Sequence, residues 1–182
     1  LDSINLYDSK YLVDEIKNQV FAFKVGYGFF LNFGLEGYNQ IKNKKVNIFL
    51  DLKLHDIPNT IKNGIEAIAN LNPYFTTIHI TGGDEMQKIA NSSKKNVKVL
   101  GVSILTSIDS AQAEKYYSEK NINNLVGKFV KNALENKLDG VVCSPLEIEL
   151  VKKISSGKLI IVTPGIRPEN YNKNDDQKRF MS

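Results

Sequence analysis

Two acids and a base stand close together in the run Asp51-x-Lys53-x-x-Asp56. The residues before them, Val46 to Leu50, are apolar and read as a buried strand. Pro58 follows, a residue favoured in a first helical turn. On a strand, Asp51 and Lys53 project to one face, because side chains repeat every second residue. Asp56 falls just past the strand end. A fourth charge, Lys24, closes another apolar run, Val20 to Val25. A lysine at the end of a buried strand is uncommon unless paired, and Asp51 is the partner this sequence offers.

Taken as one group, Lys24, Asp51, Lys53 and Asp56 alternate in charge and hold one another ionised at little net cost where their hydrogen bonds are satisfied. Such an array presents an ammonium as proton donor and a carboxylate facing a substrate. A fixed carboxylate repels a substrate carboxylate set against it, and the ammonium stabilises the carbanionic charge left when carbon dioxide departs. Decarboxylation followed by protonation is within reach of this group without metal or cofactor. Spacing alone leaves a second reading open, an ion-pair network that braces the strand end.

The elements that must position these residues alternate regularly. Strands are expected to end near Val25, Leu50, Ile80, Ile104, Cys143 and Thr163. Between them, helices are expected over Asp8–Gln19 (capped by Asp8 or Ser9), Leu35–Lys42, Ile57–Leu71, Asp84–Ser93, Asn121–Asn136 and Pro145–Ile154. Ile61, Ile65, Ile68 and Leu71 give the third of these an apolar face. Strand–helix alternation with short connections predicts a parallel sheet with helices outside. A doubly wound sheet would carry a glycine-rich phosphate turn after its first strand, and Gly26-Tyr27-Gly28 is too short for one. The expectation is therefore an α/β fold, a (β/α)8 TIM barrel, as a single domain over residues 1–182. A barrel has eight strands and about 250 residues. The first strand and the last strand–helix unit are accordingly expected to be absent from these 182 residues.

Composition narrows the function classes. Lys and Arg number 24 against 20 Asp and Glu, a net charge of +4 spread along the chain. That is a pattern of solvated helix faces rather than a nucleic-acid groove, which would need a concentrated basic stripe. The one cysteine, Cys143, excludes an intrachain disulfide framework and a cysteine zinc cluster, and fits a cytoplasmic setting. No apolar run reaches membrane-spanning length. His79, in a strand, reads as a structural residue.

The run Asp51-Leu52-Lys53-Leu54-His55-Asp56-Ile57-Pro58-Asn59-Thr60 resembles the signature of the orotidine 5′-phosphate decarboxylase family in its bacterial form. Four further segments agree in order: Leu1-Asp2, Phe23-Lys24-Val25-Gly26, Leu105-Thr106-Ser107 and Val162-Thr163-Pro164-Gly165-Ile166-Arg167. The resemblance spans essentially the whole chain. It implies conversion of orotidine 5′-monophosphate to uridine 5′-monophosphate and carbon dioxide, the last step of pyrimidine synthesis de novo, with no cofactor and no metal.

Residue by residue, the resemblance makes Lys53 the proton donor and sets Asp51 against the substrate carboxylate. Lys24 joins the charge network and touches ribose, Asp2 contacts ribose, and Thr106 lies near the pyrimidine ring. Asp56 reaches into the neighbouring subunit's site, which implies a homodimer with shared sites. Ile57, Thr60 and Pro164 belong to the matched motifs and are carried over as substrate-binding residues. Arg167 and Gln177 match a loop that closes on the phosphate, with one extra residue between them. The family's main phosphate-binding Gly-Arg pair follows a last strand for which these residues hold no counterpart. Arg179 is expected to be a solvated loop charge.

Two other readings compete. Magnesium-dependent sugar-phosphate decarboxylases and aldolases of the same superfamily share Asp-x-Lys-x-x-Asp, but resemble the Ile57-Pro58-Asn59-Thr60 and Pro164-Gly165-Ile166-Arg167 segments less well. A non-catalytic nucleotide-binding fragment is the reading from outside enzymology. Neither nucleic acid nor membrane is an expected partner.

Overall fold

The computed structural model describes residues 1–2, 5–166 and 179. Six strands form one sheet in the order of the chain: β1 Ala22–Val25, β2 Asn47–Leu54, β3 Phe75–His79, β4 Lys98–Val102, β5 Gly140–Val142 and β6 Ile160–Val162. Every neighbouring pair is parallel. A doubly wound sheet reverses its strand order at a switch point. This order never reverses, so the sheet winds one way only, as in a (β/α)8 barrel, six of whose strands lie in the described residues.

The helices are α1 Leu6–Ile16, α2 Tyr27–Lys42, α3 Pro58–Leu71, α4 Asp84–Ser93, α5 Ser110–Tyr117, α6 Ile122–Glu135 and α7 Ile148–Ser155. Most of them pack through apolar stripes. On α3, Ile61, Ile65 and Ile68 are buried, as the spacing predicts, each contributing about 2 kcal/mol of burial. The core falls into two clusters. One gathers Phe23, Val25, Phe29, Tyr38, Ile48 and Leu50 under α1 and α2. The other gathers Ile65, Ile78, Val99, Val126, Val130 and Val141 under α3 to α7.

Three local features depart from the expected pattern. The cap of α1 is Asn5, whose side chain accepts from the Asp8 N–H, rather than Asp8 or Ser9. Helix α2 begins at Tyr27, eight residues before the expected Leu35, and runs through a break at Gly34 (φ 55°, ψ −150°). Helix α5 was not expected at all; Asp109 caps it by accepting from Gln112.

Candidate active site

Three of the four charges meet where β1 and β2 end. Lys24 lies beside Phe49 in the β1–β2 register. Phe49, Asp51 and Lys53 alternate along β2 and all face one cavity. Lys53 Nζ donates to Asp51 Oδ2 at 2.8 Å, and Lys24 Nζ lies 3.4 Å from the same oxygen. The other carboxylate oxygen, Oδ1, accepts from the Thr77 hydroxyl on β3 at 2.9 Å. Asp51 is buried, so a charge that would be costly alone is compensated on both oxygens.

Strand β2 is not regular here. Leu50 pairs with Thr76 and Leu54 with Ile78, so four steps along β2 face two along β3. Such a bulge re-aims side chains next to a site. Within it Lys53 adopts φ 41°, a left-handed conformation costing a non-glycine residue about 1–2 kcal/mol. The Lys53 N–H is satisfied by Thr77 Oγ1 at 2.9 Å. The Tyr27 hydroxyl donates to the Leu52 carbonyl at 2.6 Å and ties the bulge to the start of α2.

Asp2 completes the array from behind. Its Oδ2 accepts from Lys24 Nζ at 2.8 Å. Its Oδ1 accepts from the N–H groups of Gly26 (2.7 Å) and Phe29 (3.3 Å), so a residue far off in sequence caps α2. Glycine makes this approach possible, since a Cβ on Gly26 would lie 2.5 Å from Asp2 Oδ2, and one on Gly28 would lie 2.7 Å from the Asp2 carbonyl oxygen. Burial alone would raise the Asp2 pKa. The hydrogen bond and charge of Lys24, with the Phe29 and Gly26 N–H groups, outweigh it and hold the carboxyl below its ordinary range. For Lys24, burial pulls the pKa down, and Asp2 and Asp51 together push it above the ordinary value.

The cavity in front of this array has a volume of about 410 Å³. Lys24, Asp51 and Lys53 form its charged side. Val102, Ile104, Leu105, Val142, Cys143 and Val162 form an apolar wall, and Thr106 and Pro164 also line it. Burial pushes the Cys143 thiol up to about 12, with the Glu147 charge adding to the effect. This cysteine is thus a neutral part of the wall. An apolar wall opposite fixed charges strengthens their field on whatever enters.

Not every expected site residue joins. Asp56, Ile57 and Thr60 are exposed and do not line this cavity. Asp56 accepts from the Ile57 N–H, and both residues line a separate surface depression with His55, Pro58, Thr81 and Gly82. Arg167 and Gln177 lie outside the described residues. Arg179 is not the solvated charge expected. It is buried against Glu147, and its guanidinium donates to the carbonyls of Ile104 (3.1 Å) and Leu105 (3.0 Å). Thr77 escaped the sequence reading. Its only signal is a hydroxyl within an apolar strand, and that needs a partner once buried.

Among the described residues, no three His, Cys, Asp or Glu side chains cluster closely enough to hold a metal ion. No helix among them is long and apolar enough to cross a membrane.

The chain is similar to known proteins in sequence and in fold. Residues 1–182 match the family described as Orotidine 5′-phosphate decarboxylase / HUMPS family. An orotidine 5′-phosphate decarboxylase of Wigglesworthia glossinidia brevipalpis is 40% identical over 163 residues, covering 87% of this chain and 70% of the relative. The crystal structure of orotidine 5′-phosphate decarboxylase from Lactobacillus acidophilus superposes with a TM-score of 0.82 at 34% identity, covering 92% of this chain and 80% of that one. The orotidine 5′-monophosphate decarboxylase of Methanocaldococcus jannaschii, complexed with inhibitor BMP, shares the fold with a TM-score of 0.77 at 24% identity, over 93% of this chain and 77% of that one. With residues 1–182 matching the family and relatives this similar, the chain belongs to the orotidine 5′-phosphate decarboxylase / HUMPS family.

Proposed function

We propose that this chain decarboxylates orotidine 5′-monophosphate to uridine 5′-monophosphate and carbon dioxide, the closing step of pyrimidine synthesis de novo. The observation that carries the reading is the position of Lys53 Nζ, 2.8 Å from Asp51 Oδ2 at the edge of an apolar-walled cavity. In this reading the substrate carboxylate sits against Asp51 and the pyrimidine ring against the apolar wall near Thr106. The bond from ring to carboxylate breaks, and carbon dioxide leaves. The electron pair stays on the ring carbon and takes a proton from the Lys53 ammonium, which solvent then reprotonates. Repulsion between the two carboxylates is relieved as the neutral product forms. The ammonium's attraction grows as carbanionic charge develops, which is the differential binding that catalysis needs.

Lys24, which lines the cavity, is assigned to ribose; Asp2 does not line it and is assigned to ribose on the resemblance alone. Arg167 and Gln177 are assigned to phosphate on the resemblance alone, and Pro164 to the cavity edge that it lines. Asp56, Ile57 and Thr60 are assigned to the site of a second copy in a homodimer. Their exposure outside their own cavity supports that reading, since Ile57 leaves 68% of its surface in solvent. A phosphorylated substrate of this kind does not cross membranes unaided, which fits a cytoplasmic enzyme.

Cofactor independence is supported by Lys24. Its ammonium stands 3.4 Å from Asp51 Oδ2, the oxygen a divalent cation would seek, whereas Lys53 belongs to the motif that the magnesium-dependent enzymes share. The Lys24 contact disfavours the magnesium-dependent sugar-phosphate reading. The test is the loss of orotidine monophosphate absorbance, followed with and without chelator. Turnover that is unchanged by chelator supports the proposal. Turnover of a sugar phosphate instead, restored by magnesium, would overturn it.

A further inference from the structure

The structure assigns a positioning role to Thr77, and this rests on the function proposed above. Thr77 lies at the middle of β3, is wholly buried, and does not line the cavity. It therefore touches no substrate. Its hydroxyl nonetheless makes two bonds that bear on the reacting groups. It donates to Asp51 Oδ1 at 2.9 Å and accepts from the Lys53 N–H at 2.9 Å.

The polarity of this bridge is forced. A carboxylate only accepts and a backbone N–H only donates. The group between them must do both, and a hydroxyl can. The first bond ties Asp51 Oδ1 into the sheet and leaves Oδ2 to face the two ammonium groups. The second satisfies the one Lys53 backbone donor inside the bulge, where β2 and β3 lose their register. It also holds Lys53 in its left-handed conformation. That conformation carries the side chain back to Asp51 Oδ2 two residues earlier. One hydroxyl thus fixes both the acid and the lysine. The geometry is tight enough to matter, since misplacing a reacting group by about 1 Å can cost about 10²-fold in rate.

Thr77→Val keeps the shape and removes the hydroxyl, whereas Thr77→Ser keeps the hydroxyl. The expected result is a fall in kcat for orotidine monophosphate of about 10- to 100-fold in Thr77→Val. KM should move by less than about threefold, because no substrate contact is lost. Thr77→Ser should recover most of the rate. A general packing defect would not produce that split or that rescue. Hydrogen exchange at the Lys53 amide supplies a readout independent of turnover, expected to quicken about 10-fold or more in Thr77→Val and not in Thr77→Ser. Should Thr77→Val fail to fold, Thr77→Cys, a poor donor and acceptor of similar size, takes its place.

A kcat within twofold of the parent in Thr77→Val, or equal losses in the valine and serine variants, would overturn the assignment. If the parent protein shows no decarboxylation at all, the functional reading fails by itself. The exchange measurement then still decides whether the hydroxyl holds Lys53.

Discussion

Lys53 turns back on Asp51, two residues earlier in its own strand, and its ammonium nitrogen stands 2.8 Å from Asp51 Oδ2. In an ideal strand, i and i+2 side chains lie parallel and point away from the sheet together. Here the bulge and the left-handed backbone of Lys53 converge the two instead. With Lys24, the pair forms the charged side of a cavity whose remaining wall is mostly apolar. A short range of chain therefore sets a carboxylate and an ammonium group at the same point.

Lys53→Ala tests the donor directly. Loss of the donated proton and of the ammonium's field is expected to lower turnover by at least about 10³-fold. The fold should survive, because Asp51 keeps Thr77 and Lys24 as partners. Single-turnover assays alongside circular dichroism check both halves. A variant that still turns over at a tenth of the parent rate would remove Lys53 from the proton-donor role.

Gly26→Ala tests the capping of α2 by Asp2. The added methyl would sit 2.5 Å from Asp2 Oδ2 and 3.0 Å from its Cγ, so the carboxylate must move off both Lys24 and the helix end. A loss of about 1–3 kcal/mol in urea unfolding is expected, together with weaker turnover because Lys24 loses its nearest partner. Asp2→Asn separates charge from shape. The folded-state pKa of Asp2 lies below its ordinary value of 3.8. Its stabilisation is therefore present above that pH and lost as pH falls through the lowered folded value. The Asp2→Asn protein should lose less stability than the parent across that acid window. Parallel curves for the two proteins would mean that the charge on Asp2 contributes nothing.

Much of this site is written in local sequence, and the remainder is not, for reasons that particular residues show. Asp51 and Lys53 were legible because alternation on an apolar strand is a local property. So was the barrel, because its strands and helices alternate and its helix stripes repeat at helical spacing. The early start of α2 was not legible. Two glycines near its beginning look like a loop until Asp2 arrives from more than twenty residues away to cap it. Helix α5 buries only Ala113, so it lacks the apolar stripe that exposes a helix to inspection. Thr77 looks like an ordinary strand residue, and its role comes from the neighbouring strand. Arg179 read as a loop charge because nothing nearby in sequence announces Glu147 as its partner.

His79 predicts a pH dependence of stability. Its ring centroid lies 5.5 Å from that of His55. Burial, then the charges of His55 and Lys53, lower its pKa from 6.5, while Asp51 pulls the other way. A histidine that resists protonation when folded binds more protons when unfolded. Stability therefore rises with pH across the window just below 6.5, and is lost as pH falls through it. His79→Gln is expected to flatten the fall of the thermal midpoint between about pH 7 and pH 5. An unchanged slope in that variant would assign the acid sensitivity to other groups.

The exposed position of Asp56 predicts complementation between copies. Asp56 does not line the cavity of its own chain, so in the proposed homodimer it serves the partner's site. Asp56→Ala and Lys53→Ala proteins should each be nearly inactive. When they are mixed in equal amounts and allowed to exchange subunits, half of the dimers are hybrids, and each hybrid regains both side chains at one site of its two. Recovery of about a quarter of the parent activity is the expected ceiling for such a two-fold assembly. The recovered activity should grow with the extent of exchange, measured in the same samples by differently tagged subunits. Complete exchange without any recovery would return Asp56 to its own subunit, and would leave the surface around His55, Ile57 and Thr81 without a catalytic role.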